Sequence, residues 1–184
     1  MLANLRALFG SVVDIILFRR GPENLPASQT LLAIVVALSL LVSVAMSTVT
    51  TLPTSDVLLG GIVGGAVMLL WFRVALSVVN KLERFLQTMT AIFGVNTLFQ
   101  PVLVPLTAAL LPYFEKADAN VPTPAALFLI WLFVGLWGSI VVVRIVRAAF
   151  ECPWIIAILL VVGEILTANT IGSLLLGVPT KAAA

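Results

Sequence analysis

Five stretches of this chain, roughly residues 28–50, 57–80, 84–112, 125–147 and 154–177, are each long and apolar enough to cross a bilayer. A helix rises about 1.5 Å per residue, so about 20 apolar residues cover a hydrocarbon core of about 30 Å. Inside hydrocarbon every backbone amide needs a partner within the protein, which makes helices the answer for such stretches. The expected fold is therefore all-α and integral to the membrane. It is a five-transmembrane-helix bundle over residues 21–184, preceded over 1–20 by an amphipathic helix lying in the interface. Composition closes the alternative: 61% of residues are apolar and 10% charged, against about 45–50% and about 25% in soluble domains. Too little polar surface exists to cover a soluble globule.

The amphipathic reading of the first residues rests on spacing. Asn4, Ala7, Ser11 and Asp14 fall on one narrow helical face, and Leu2, Leu5, Leu8, Phe9, Val12, Val13 and Ile16 cover most of the rest. Arg19 and Arg20 follow the apolar run and no small-residue cleavage site comes after it, so the segment is expected to be retained. Gly21-Pro22 is expected to end this helix and Ser28 to cap the next. Arg6, Arg19, Arg20, Arg73, Lys81, Arg84, Arg144 and Arg147 fall on one side of the predicted threading; only Lys116 and Lys181 fall on the other. The positive-inside rule then places the amino terminus inside and the carboxyl terminus outside.

The third span departs most from a plain apolar helix. It carries Gln87, Asn96 and Gln100, and Pro101 and Pro105 stand in its outer half. Each proline lacks an amide proton and is expected to bend the helix. Around this span lie two small-residue faces suited to close helix packing. Ser39, Ser43, Ser47 and Thr51 recur every four residues in the first span, and Gly60, Gly61, Gly64 and Gly65 make two overlapping GxxxG patterns in the second. The fourth span carries a further small pair, Gly135 and Ser139. Tyr113 to Pro124 is expected to be a surface loop.

Ionisable groups within spans are the best pointer to function, because a charge at the bilayer centre costs roughly 2.5–3.5 kcal/mol even on the mildest scale. At 1.5 Å per residue, Glu164 lies roughly 16 Å, Asn96 roughly 18 Å and Arg73 roughly 12 Å from the inner ends of their spans. Gln100 is one turn above Asn96. These four are expected to share one intramembrane polar cluster. In one reading Glu164 is a proton- or ion-coupling carboxylate tuned by Arg73; in the other the polar groups satisfy one another, or Arg73 reaches to the headgroups, and the cluster only specifies packing. Lys81, Arg84, Arg144 and Arg147 form a basic belt at the inner face, expected to meet anionic lipid headgroups.

Enzyme chemistry finds no foothold. The chain has no histidine and one cysteine, Cys152, which no base activates. Phosphate-binding loops, nucleophile elbows and metal-spaced clusters are absent, so no catalytic residue, cofactor, metal or nucleic-acid partner is expected.

Three local patterns resemble those of the YIP (Ypt-interacting protein) family in its bacterial branch, over roughly residues 20–177. Phe85-Leu86-Gln87-Thr88, followed by Gly94 and Pro101, is similar to that family's third-span entrance. Trp131 with Gly135 resembles its fourth span, and Arg147-Ala148-Ala149 resembles the step before its last span. The chain departs from the eukaryotic members: it lacks their Asp-Leu-Tyr-Gly-Pro type of motif and their hydrophilic amino-terminal domain. The resemblance implies five spans and a non-enzymatic inner-membrane scaffold or accessory subunit. It also implies partners in the bilayer: another membrane protein or a second copy. The alternative from the residues is a small ion- or proton-coupled permease or channel subunit using Glu164.

Overall fold

The computed structural model describes residues 2–50, 53–115 and 124–176, all of whose regular structure is helical. The helices are α1 (Leu2–Ile16), α2 (Gln29–Ser47), α3 (Thr54–Val78), α4 (Phe85–Glu115), α5 (Ala125–Phe150) and α6 (Trp154–Leu176). The last five are each long and apolar enough to cross a membrane. This is a multi-pass membrane architecture. Thr51, Lys116, Asp118 and Lys181 lie outside the described residues.

The five long helices close into a ring. Taken around it, α4 packs on α2, α2 on α3, α3 on α6, α6 on α5, and α5 returns to α4. α4 also touches α3 and carries α1 on its outer side, so it has more neighbours than any other element. Its residues Ala91, Ile92 and Val95 are buried accordingly. α4 is one unbroken helix despite Pro101, Pro105 and Pro112. The prolines leave the carbonyls of Thr97, Pro101 and Ala108 without their usual donors, yet the helical path continues. α4 also runs on to Glu115, which corrects the expected loop from Tyr113: Phe114 packs edge-on to Phe128, with centroids 6.4 Å apart.

α1 is docked, with Val12 and Ile15 buried against α4 and α5. Gly94 makes this possible, because a Cβ there would stand 2.9 Å from the Val12 Cγ2. α1 stops at Ile16, before Gly21-Pro22. Phe18 takes a left-handed φ of 60°, and the amides of Arg19 and Arg20 turn back onto the Asp14 carbonyl at 2.8 and 3.3 Å. Asn80 after α3 and Glu151 after α5 end their helices in the same left-handed conformation. Ser28 caps α2 through the Leu31 amide at 3.3 Å. Gln87 holds the linker, donating to the Leu25 carbonyl at 2.7 Å.

At the end of the bundle that carries Phe18, Asn80 and Glu151, the ring is filled. Phe72, Leu76, Met89, Ile92, Ile145 and Val146 are each no more than 1% exposed. This is the clasp end, named for the ion pairs of Glu151 with Lys81 and Arg84.

Candidate functional site

The clasp is built from α5's last carbonyls and the basic turn between α3 and α4. Lys81 Nζ donates to the Phe150 carbonyl at 3.0 Å and to Glu151 Oε2 at 2.6 Å. Arg84 donates to the carbonyls of Ala148 and Ala149 at 3.2 and 3.5 Å, and to Glu151 Oε1 at 2.6 Å. Two cations thus meet the negative end of the α5 dipole and its orphan carbonyls. The Lys81 hydrogen bond first, then that of Arg84, holds the Glu151 carboxyl below the ordinary carboxylate range.

The expected basic belt is therefore not a row of free cations. Arg144 stacks on Phe18, 4.7 Å from the ring centroid, and Arg147 stacks on Trp154 at 5.0 Å. All four belt residues are engaged within the protein, three of them with segments distant in sequence, which a charge count does not show.

The expected polar cluster is divided. Arg73 takes no part: it faces outward, and its guanidinium lies 5.9 Å from the centroid of Phe85, at the clasp end. Its long stem carries the charge away from the span's centre. Glu164 and Asn96 do come together, in a cavity of about 240 Å³ between α3, α4, α5 and α6. Ser139, Gly135 and Gly138 of α5 complete its small-residue wall. Gln100 lies instead in a second cavity, of about 320 Å³, between α2, α3 and α4. Asn96 and Met68 line both cavities and form the wall they share.

Glu164 is 6% exposed and has no hydrogen-bond or ion-pair partner among the described residues. Among the described residues that line this space with it, the polar side chains are Asn96 and Ser139. Ser139 already donates to the Gly135 carbonyl at 2.9 Å, leaving its oxygen free to accept.

The second cavity takes in both small-residue faces. Ser43 shares its proton between the Ser39 carbonyl at 2.9 Å and Gln100 Oε1 at 3.1 Å. Ser47 and Thr54 pair at 3.1 Å beyond it. Gly60, Gly61, Gly64 and Gly65 line this cavity. A Cβ at Gly61 would approach Leu40 to 3.1 Å, whereas nothing lies within 4 Å of the corresponding position at Gly64. The glycine face is thus used partly within the fold.

Two residues that position Glu164 escaped the sequence reading. Trp71 of α3 donates its indole N–H to the Leu160 carbonyl at 3.1 Å. Its ring lies so close to Gly163 that a Cβ there would be 2.9 Å from Trp71 Cζ2. Gly163 beside Glu164 was the available signal, but a glycine in an apolar helix does not name its partner.

The chain matches no protein-family model, no curated protein and no solved structure.

Proposed function

We propose that this chain is a small ion- or proton-coupled permease or channel subunit, with Glu164 as the group that takes up and releases the cation. The supporting observation is Glu164, a residue 6% exposed whose carboxyl is unpartnered among the described residues and lines a cavity. A carboxyl kept only for packing should be hydrogen-bonded, because an unpaired buried polar group costs about 1–3 kcal/mol. A group that must bind and release a proton benefits from the opposite arrangement: room beside it and no permanent partner. On this reading the protein lies in a cell inner membrane with its amino terminus inside, as its Lys and Arg distribution favours. No catalytic step is needed.

The test is flux in proteoliposomes carrying an internal pH dye, with an imposed proton or cation gradient. Wild type should dissipate the gradient and Glu164→Gln should not. Wild-type flux no faster than that of empty liposomes would sink the proposal.

One observation supports a second reading, the YIP-type scaffold or accessory subunit. Gly64 and Gly172 have no atom within 4 Å of a built Cβ, which leaves room for a neighbouring helix. Affinity purification in mild detergent separates the two: a stoichiometric membrane partner, lost on Gly64→Leu, supports the scaffold.

A further inference from the structure

We infer that Glu164 is reached by water from one face of the membrane only, through a polar path that enters at the end opposite the clasp. The path's use in supplying ions to Glu164 rests on the proposed function. Its existence rests on the arrangement of side chains alone.

Three observations carry the inference. Polar side chains descend in order from the opposite end. Thr54 is exposed and pairs with Ser47; one turn deeper Ser43 meets Gln100; one turn deeper again stands Asn96, on the wall shared with the Glu164 cavity. At about 1.5 Å per residue these steps move about 6 Å at a time toward the bilayer centre.

The two cavities are also large enough to be wet. They measure about 240 and 320 Å³, against about 30 Å³ for one water in the liquid. A buried water needs two to four polar partners. Glu164, Asn96 and Ser139 offer them in the first cavity, and Ser43, Gln100 and Asn96 in the second.

The clasp end has polar-lined cavities of its own, of about 350 and 310 Å³ around Glu23, Gln87 and Arg144, but among the described residues neither shares a lining residue with the Glu164 cavity or with the second one. Below Asn96 on α4 come Ile92 and Met89, and facing them Phe72, Leu76, Ile145 and Val146, all no more than 1% exposed. Thr88 in this layer spends its hydroxyl on the Arg84 carbonyl at 2.8 Å. Thr90 Oγ1 has no partner, but the residue is fully enclosed and lines neither cavity. Beneath this layer the Lys81–Glu151–Arg84 ion pairs tie α5 to the turn before α4.

Sided thiol labelling tests this without any flux. In a Cys152→Ser background, single cysteines are introduced as Gln100→Cys, Asn96→Cys and Met89→Cys. Asn80→Cys marks the clasp face and Ser55→Cys the opposite face. A charged, membrane-impermeant methanethiosulfonate reagent is applied to right-side-out and inverted vesicles. The expected result is labelling of Gln100→Cys and Asn96→Cys only in vesicles whose outward face labels Ser55→Cys, and no labelling of Met89→Cys in either. Labelling of Asn96→Cys from the clasp face overturns the inference, and so does its complete protection while both markers react. Should Asn96→Cys fail to fold, Ser43→Cys, on the same path, carries the test. A labelled path in a protein without flux would retain the path and overturn the permease reading; flux lost on Glu164→Gln with an unlabelled path would do the reverse.

Discussion

The two halves of this bundle solve the problem of polar groups in hydrocarbon in opposite ways. At the clasp end the described basic side chains and two of the acidic ones have company. Asp14 pairs with Arg20 at 3.3 Å, Glu151 with Lys81 and Arg84 at 2.6 Å, and three arginines stack on aromatic rings. Inward of these charges, and of the polar-lined cavities among them, lies a filled layer of Leu76, Met89 and Val146. Toward the other end, small residues leave cavities, and Glu164 stands beside one without a partner among the described residues. The difference teaches where to look for function: a packed region whose cations are all engaged holds the fold, and a carboxyl left unpaired beside open space is kept for something else.

The sharpest way to break the comparison is to truncate a large side chain in each half. Leu76→Ala in the filled half should cost about 2–5 kcal/mol, seen as a large fall in melting temperature in detergent. Glu164→Leu in the open half should leave the melting temperature unchanged or raise it, since removing an unpaired polar group is nearly neutral or stabilising. A large loss of stability on Glu164→Leu would show that the carboxyl has a structural partner.

Close approaches come next. Gly94→Leu drives a side chain into Val12 of α1, and Gly163→Ala meets Trp71. Overpacking of this kind costs about 1–3 kcal/mol. The first should release α1, read as faster proteolysis near Arg19 and Arg20 with α2–α6 still protected. The second should displace α6 from α3 and change the pH at which flux is half-maximal; an unchanged flux profile with lowered stability would make Trp71 a packing residue only.

The smallest effect concerns acid. Glu151 has a folded-state pKa below its unfolded value. Its contribution to stability is therefore fully present above the ordinary carboxylate range and is lost as pH falls through the depressed folded value. Melting temperature should be flat near neutrality and decline modestly in acid, and Glu151→Gln should remove that part of the decline. The pair is solvent-exposed and screened, so high salt should blunt it as well.

Residue order alone determined the five long helices, because hydrocarbon forces any apolar run of that length to satisfy its own amides. It also showed which polar residues lie deep, since depth follows from counting residues along a helix. It placed Asn96 and Glu164 at one height, and the structure puts them on one cavity. What counting could not supply was direction around each helix axis. Rotation sends Arg73 outward to Phe85 while Glu164 points inward, and it puts Gln100 and Glu164 on different cavities either side of Asn96. The internal contacts of the basic belt were hidden for a related reason. Lys81 and Arg84 found the α5 carbonyls and Glu151 only because the chain brings residues about 65 to 70 positions apart to one turn. Helix existence is local physics, written in each segment. Which faces meet is settled by side-chain packing among all the spans at once, and only the tertiary structure holds that information.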